Sequence, residues 1–156
     1  MIPTRYAVAS LWLLLVLFLG SAYFAAQETG RFVVPLLRWL RPGAPVGELQ
    51  AVHMVLRKAA HLTEYAVLAL LWFRAILRVG ARTPRAASWA ALSISLVCAF
   101  ADEAHQSTLP TRHGSAHDFL IDAFGATAML TITRGRQSAG ASSEPLGGPI
   151  AAEPAD

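Results

Sequence analysis

Polar side chains that can exchange protons, hold phosphate or bind a metal stand at the margins of three apolar runs in this chain. The set contains carboxylates, an imidazole, two cations, a phenol and an amide: Lys58, His61, Glu64, Tyr65, Asp102, Glu103, Gln106, Arg112, Asp118 and Asp122. Ionisable groups are costly in a bilayer unless they are paired or hydrated, so their presence beside apolar runs indicates function. We therefore predict that these residues form a ligand-binding site.

Within this set, His61, Glu64 and Glu103 are the candidates for catalysis. A desolvated carboxylate could act as a general base with His61 as its partner, while Lys58 and Arg112 stabilise developing negative charge. A metal-dependent version would use one imidazole and several carboxylates, a mixture suited to Mg²⁺, Mn²⁺ or Zn²⁺: His61, Glu64, Asp102, Glu103 and Asp118. No second clear histidine ligand and no established metal motif accompany them. We therefore expect no cofactor and keep a divalent metal as the alternative.

The segments that carry these residues are strongly apolar. The 156 residues are 54% hydrophobic and 15% charged, with a mean hydropathy of +0.44, whereas a soluble domain is about a quarter charged. Runs close to the roughly 20 residues that a transmembrane helix needs predict four spans, at about 6–26, 59–77, 86–105 and 116–133. The predicted fold class is all-α, an integral membrane bundle of four transmembrane helices plus a short interfacial helix.

The interfacial helix is predicted in the connection between the first two spans. The sequence "RFVVPLLRWLR" places its apolar residues on one face and its arginines elsewhere, as in helices that lie in the membrane interface. Pro35 is expected in the first turn of this helix, and the helix of the second span is expected to begin as early as Glu48. Residues 1–133 form the predicted membrane domain, and residues 134–156, rich in Gly, Pro, Ala and Ser, form a predicted disordered tail.

Topology predicts that the polar set converges. In an up-and-down bundle, the start of the second span, the end of the third and the start of the fourth lie on the same side. At the start of the second span, spacings of three and four predict one shared helix face for Lys58, His61, Glu64 and Tyr65. The third span also carries small residues at every fourth position, which predict a ridge for close helix contact: Ala87, Ala91, Ser95 and Ala99. Glu103 is the next step of that ridge, so its carboxylate is expected to face a neighbouring helix.

Several polar residues also have simpler interpretations. Arg57 and Lys58 fit interfacial anchors, and a Lys58–Asp118 or Glu64–Arg112 pair would be a structural ion pair rather than part of a site. Surface positions are predicted for three histidines, His53, His113 and His117. The position of His105 is left open, and the single cysteine, Cys98, is expected to be a small packing residue.

Arginine distribution predicts the orientation, because cytoplasmic loops are enriched in basic residues. Outside the predicted site, the side that contains both termini holds most of them: Arg5, Arg74, Arg78, Arg82, Arg85, Arg134 and Arg136. The opposite side holds Arg31, Arg38 and Arg41. We therefore expect a multi-pass protein with both termini in the cytoplasm and the polar site facing outward. No basic stripe interleaved with exposed aromatic residues indicates a nucleic-acid partner.

Three blocks of sequence carry a resemblance to a known family: "RKAAHLTEY" at 57–65, "DEAHQ" at 102–106 and "PTRHGSAHDFLIDAFG" at 110–125. Their order and intervals are similar to the K-x-x-H-x-x-E-Y, D-E-x-x-Q, R and D-x-x-x-N/D-x-x-G arrangement of the VanZ-like membrane proteins, named for a factor associated with teicoplanin resistance. The resemblance covers roughly residues 5–133. Thr111 and Met129 stand where the family often has glycine, and neither is a charged position.

The resemblance implies a four- or five-helix bacterial membrane protein that is linked to the cell envelope and, in some members, to lowered glycopeptide sensitivity. We expect the protein in the inner membrane. It supplies no reaction, so two functions stay open. The first is an outward-facing polar pocket that binds or modulates a lipid-linked cell-wall precursor, a glycolipid headgroup or a glycopeptide, with cations on phosphate. The second is a membrane-embedded enzyme that acts on such a headgroup. A proton-coupled transporter is disfavoured because the second half of each predicted span is apolar, and the sequence does not determine the oligomeric state.

Overall fold

The described part of the chain is entirely helical. The computed structural model describes residues 4–78, 83–110 and 115–142, without the side chains of residues 5 and 138–142. Five α-helices and a short 3₁₀ turn follow one another: α1 (Thr4–Leu19), the turn (Ala22–Phe24), α2 (Ala26–Leu40), α3 (Val46–Leu77), α4 (Pro84–Gln106) and α5 (Ala116–Ser142). No strand occurs within these ranges, and the predicted all-α class is confirmed.

The first predicted span is interrupted. α1 ends at Leu19 instead of continuing to residue 26, and the segments Tyr6–Leu19 and Ala22–Leu40 meet at an angle of 65°. Gly20 lies at this break, and the Asp102 carboxylate of α4 occupies the space that a side chain at Gly20 would need. The prediction of one continuous helix was wrong, and the missing side chain of Gly20 lets the Asp102 carboxylate of α4 lie against the backbone at this break.

Two helices, α3 and α4, are long and apolar enough to cross a membrane, and the bent pair of Tyr6–Leu19 with Ala22–Leu40 counts as a third if it forms one span. α1 alone has 16 residues, about 24 Å, against a hydrocarbon core of about 30 Å. The described residues therefore support two or three spans rather than clearly four. α5 is the fourth predicted span, and Asp118 and Asp122 in its first half lower its hydropathy.

α2 is longer than the predicted interfacial helix. It begins at Ala26, which places Pro35 in its interior rather than in its first turn. The added turns contact α3, since Thr29 Oγ1 lies 3.1 Å from His53 Nε2, a contact that the pattern of residues 31–41 did not indicate. Phe32 and Trp39 are largely exposed, which suits the predicted contact with the membrane interface.

α3 is the central helix and packs against α1, α2, α4 and α5. It begins at Val46, two residues before the predicted start. The predicted ridge on α4 is confirmed, because its four small residues are at most 1% exposed and Glu103 is 7% exposed. These small side chains allow α4 to lie close to its neighbours, and aromatic side chains such as Tyr65 and Phe73 of α3 fill the interior.

The last helix continues beyond the predicted end of the membrane domain. α5 runs to Ser142, so residues 134–142 are helical although they were predicted to be disordered. The segment contains no proline, and the helix can therefore propagate through it. Residues 143–156 of the predicted tail lie outside the described residues.

Candidate functional site

The candidate site lies where α3 and α5 come into close contact. Gly125 of α5 faces the backbone of α3, and a side chain there would overlap the Leu62 carbonyl oxygen and lie 3.1 Å from its carbonyl carbon. This approach brings together His61, which precedes Leu62 on α3, and Asp122, which lies one turn before Gly125 on α5. His61 Nδ1 and Asp122 Oδ1 are 3.5 Å apart, which is longer than a direct charge-assisted hydrogen bond.

Glu103 reaches the same point from α4. Its Oε2 accepts a hydrogen bond of 2.7 Å from the backbone N–H of Ser115, the residue that precedes α5. One donor atom each from His61, Glu103 and Asp122 lie within 4.8 Å of one another. We call these three residues the buried triad. A histidine and two carboxylates from three helices therefore meet, as the predicted topology required.

The buried triad is shielded from solvent. Asp122 is 0% exposed, and the side chain of His61 is 14% exposed. Both carboxylate oxygens of Asp122, Oε1 of Glu103 and Nδ1 of His61 are buried without a hydrogen-bond partner among the described residues. Two carboxylates held this close in a buried position require a compensating positive charge or proton. Beside them, Asp102 accepts a hydrogen bond of 2.9 Å from Gln106 Nε2.

An open pocket of about 360 Å³ adjoins the triad. Its walls come from α2, α3, the end of α4 and the start of α5: Ala26, Gln27, Met54, Arg57, Lys58, His61, Gln106, Ser115, His117 and Asp118. We call it the outer pocket because it is open at the surface of the bundle, whereas the triad is buried. Lys58 Nζ lies 3.2 Å from Asp118 Oδ1 and 3.0 Å from His117 Nδ1. The outer pocket therefore presents cationic and histidine side chains, and His61 belongs to both the pocket and the triad.

A second, more apolar pocket of about 250 Å³ lies between α2 and α3. We call it the α2 pocket, and it is lined by Leu19, Phe24, Thr29, Val33, His53, Leu56, Arg57, Ala60, His61 and Glu64. Arg57 Nη1 donates hydrogen bonds to the Phe24 carbonyl oxygen at 2.7 Å and to Thr29 Oγ1 at 3.2 Å. Arg57 and His61 line both pockets, so the two spaces are neighbours on either side of the same turns of α3.

A family model described as VanZ/LLP1 matches residues 6–136. The chain belongs to the VanZ/LLP1 family. Membership confirms the predicted resemblance and indicates a bacterial membrane protein of a group linked to glycopeptide resistance. No curated protein and no solved structure matches the chain.

Most of the predicted site residues of this VanZ/LLP1 protein come together. Four of them line the outer pocket: Lys58, His61, Gln106 and Asp118. His61 also belongs to the buried triad, together with Glu103 and Asp122, and the buried Asp102 bonds to Gln106. Arg112 lies outside the described residues. The predicted Lys58–Asp118 ion pair is present. The binding role of these residues stays a prediction.

Two predicted site residues lie elsewhere. Glu64 lines the α2 pocket, and its backbone carbonyl accepts a hydrogen bond of 3.0 Å from Trp12 Nε1. The prediction that it shares one face with Lys58 was wrong, because six residues of helix turn it by roughly 120° from that position. Tyr65 is fully buried and packs with Val16 of α1 and other core residues, so it lines neither pocket.

Two histidines that were predicted at the surface lie at or beside the candidate site. His53 was predicted at the surface, but it is 5% exposed and contacts Thr29. Its spacing of four from Arg57, which is itself four residues before His61, is the signal that could have placed it beside the site. His117 is 67% exposed but also lines the outer pocket. His105 is exposed, and His113 lies outside the described residues.

Proposed function

We propose that this VanZ/LLP1 protein binds the phosphate-bearing headgroup of a lipid-linked cell-envelope compound in the outer pocket. The observation that carries the proposal is the pairing of Arg57 and Lys58 with two histidines around one open cavity. Guanidinium and ammonium groups make short, charge-assisted hydrogen bonds to phosphate oxygens. A cavity of about 360 Å³ also falls within the size range of roughly 300–1,000 Å³ that is usual for small-ligand sites.

The ion pair in the pocket is suited to exchange for a ligand. The side chains of Lys58 and Asp118 are 40% and 33% exposed, and pairs between such accessible groups are worth only about 0–1 kcal/mol. A phosphate group can therefore take over the lysine at little cost. Arg57 differs, because its hydrogen bonds to Phe24 and Thr29 fix the position of its guanidinium and preorganise it for binding.

The α2 pocket supports a lipid rather than a free phosphate as the ligand. Leu19, Phe24, Val33 and Leu56 give it an apolar lining, and it shares Arg57 with the outer pocket. A molecule with a charged head and a hydrocarbon chain would place its phosphate in the outer pocket and the first part of its chain in the α2 pocket. The ligand class we favour is therefore a polyprenyl or glycerol phosphate, free or linked to sugar.

Binding of polyprenyl phosphate by the purified protein in detergent tests this function. Arg57→Gln and Lys58→Gln should each weaken binding about tenfold, since a hydrogen bond to a charged group contributes roughly 1.5–3 kcal/mol. Arg74→Gln is the matched control, because Arg74 is exposed on the same helix, about 25 Å farther along. The uncharged polyprenol is the ligand control.

Equal affinity of the wild type and of both pocket variants would contradict the proposal. So would binding of polyprenol as tight as that of its phosphate, because the cations would then have no role. Thermal unfolding of each variant identifies any loss of binding that comes from misfolding, which is most relevant for Arg57 because it also joins α3 to the 3₁₀ turn.

Membrane topology is part of the same proposal. We propose four spans in the bacterial inner membrane, both termini in the cytoplasm and the outer pocket facing outward, where it modulates sensitivity to glycopeptides. A single cysteine at position 112, introduced as Arg112→Cys in a Cys98→Ala background, should react with a membrane-impermeant maleimide in spheroplasts. Labelling only after the membrane is opened would place the site in the cytoplasm.

The second candidate function is an enzyme that acts on the same headgroup. Burial of two carboxylates beside a histidine favours it, because desolvated carboxylates are suited to general acid–base work. Turnover of a labelled lipid-linked precursor by the wild type and its loss in Glu103→Gln would support catalysis; Glu64→Gln is tested alongside it. Binding without turnover in the wild type would support the first function and exclude the second for that precursor.

A further inference from the structure

We infer that the buried triad of His61, Glu103 and Asp122 binds one divalent transition-metal ion of the Zn²⁺ or Mn²⁺ class. Such a site goes beyond the proposed binding of a headgroup, because it would exist without any lipid. Imidazole and carboxylate together suit these ions. The inference is carried by the geometry of the three side chains, by their burial and by the orientation of the glutamate.

The spacing of the three donors is close to that of metal ligands. Ligand atoms about 2.0–2.2 Å from a tetrahedral ion lie roughly 3.3–3.6 Å apart. His61 Nδ1 and Asp122 Oδ1 are 3.5 Å apart, and all three donor atoms lie within 4.8 Å of one another. The His61–Asp122 separation already has the length that a tetrahedral ion requires, and the limit of 4.8 Å for the whole triad exceeds that length by roughly 1 Å.

Burial gives the second, independent observation. Asp122 is 0% exposed, and neither of its oxygens has a hydrogen-bond partner among the described residues. A carboxylate in this environment is strongly disfavoured unless a cation or a proton accompanies it. Histidine opposite one of these oxygens, at a distance too long for a good hydrogen bond, is an arrangement that one shared metal ion satisfies better than a proton does.

The glutamate is oriented as ligands of metal sites usually are. Oε2 of Glu103 accepts the hydrogen bond from the Ser115 backbone, whereas Oε1 is buried with no partner in the described part of the chain. One oxygen is thus held by the protein and the other is left for coordination. Hydrogen bonds of this kind fix the direction of ligating carboxylates and are a regular feature of metal sites.

Three protein ligands leave a tetrahedral ion with one further position, as in zinc enzymes. His61 lines the outer pocket as well as the triad, so that position is next to the proposed phosphate. A phosphate oxygen could complete the coordination, and this last step alone rests on the proposed function. Metal binding by the three side chains does not.

The test is metal binding by the full-length chain in detergent, freed of any affinity tag and treated with a chelator. Titration calorimetry with Zn²⁺ and with Mn²⁺, and metal analysis after gel filtration, should give one ion per chain. Asp122→Asn and Glu103→Gln, which keep the side-chain shape, should weaken binding at least tenfold. Glu48→Gln is the matched control, because Glu48 is an exposed carboxylate at the far end of α3, and it should bind like the wild type.

Cobalt gives a signature that a loosely bound ion would not. Co²⁺ in a four-coordinate site of nitrogen and oxygen ligands should produce intense visible absorption in the wild type and lose it in Asp122→Asn. Lys58→Gln should lose affinity for polyprenyl phosphate while it keeps the ion. This comparison separates failure of the metal site from failure of the headgroup site. If Asp122→Asn is not monodisperse, His61→Gln gives the same comparison.

Three results would overturn the inference. The first is a folded, monodisperse wild type that binds no more Zn²⁺ or Mn²⁺ than the triad variants do. The second is unchanged affinity in Asp122→Asn. The third is metal binding that appears only after Arg112→Gln, because the guanidinium of Arg112, which lies outside the described residues, would then be the cation that accompanies the carboxylates.

Discussion

The contact between Gly125 and the α3 backbone makes a sharp prediction for Gly125→Ala. Side-chain carbons essentially never approach other heavy atoms closer than 3.0 Å, and the Leu62 carbonyl oxygen lies well inside that limit from the position of a Cβ at Gly125. The obstructing atom belongs to a helix backbone and cannot rotate away. α5 must therefore move away from α3, which also separates Asp122 from His61.

The cost follows from two opposing effects. Overpacking of a close contact destabilises by about 1–3 kcal/mol, and alanine gains about 1 kcal/mol over glycine inside a helix. Because the obstructing atom belongs to a backbone, the overpacking cost falls in the upper part of its range, about 2–3 kcal/mol, and we expect Gly125→Ala to lose about 1–2 kcal/mol in the free energy of unfolding. For a chain of this size that corresponds to a fall in Tm of about 2–8 °C.

Gly135→Ala is the matched control, because Gly135 lies on the same helix and a Cβ there meets nothing within 4 Å. Only the gain in helix propensity applies to it, so its Tm should stay level or rise. Thermal unfolding of the purified proteins in one detergent, followed by circular dichroism or by a thiol-reactive dye on Cys98, measures both. Equal Tm values for the two variants would mean that α3 and α5 are farther apart than in the structure. Close contact at Gly125 would then not be what brings Asp122 to His61.

Two further predictions concern α1 and its contacts. Gly20→Ala should lower Tm by a few degrees, since its Cβ would push aside the Asp102 carboxylate, whereas Gly43→Ala, with no atom within 4 Å of the new carbon, should not. Trp12→Phe removes the hydrogen bond of 3.0 Å from Trp12 Nε1 to α3 and should cost about 1 kcal/mol; Trp89→Phe, at a position 58% exposed, should cost much less. Both predictions are checked by the Tm values of all four variants in the same detergent. If Gly20→Ala has the same Tm as Gly43→Ala, or Trp12→Phe the same Tm as Trp89→Phe, the contact removed or obstructed by the first variant of that pair does not stabilise the protein.

The convergence of the site could be predicted because it depends on topology and on simple periodicity. Small residues every fourth position on α4 placed Glu103 toward a neighbouring helix, and the alternation of helix directions brought it to the starts of the second and fourth predicted spans. Neither inference needs knowledge of crossing angles. His61 and Asp122 met for the same reason.

Other features depend on the exact contact between two helices and could not be predicted. The break after α1 and the close approach of Asp102 to Gly20 depend on how α1 and α4 meet, and the uncharged run at 6–26 gave no indication of either. The direction of Glu64 was misjudged because residues at spacings of three drift around a helix. The burial of His53 depends on α2, which starts at Ala26 and so carries Thr29, the residue that contacts His53.

Glu103 joins two tasks in a single carboxylate, since one oxygen holds the backbone N–H that precedes α5 while the other belongs to the buried triad. A cation or proton bound to Oε1 would withdraw negative charge from Oε2 and so weaken the hydrogen bond that Oε2 accepts from Ser115. Thermodynamic reciprocity then requires that fraying of the α5 terminus and occupancy of the triad influence each other to the same extent. If the triad holds the proposed ion, the hydrogen bond of 2.7 Å from Ser115 to Glu103 couples binding of that ion to the order of the residue that precedes α5.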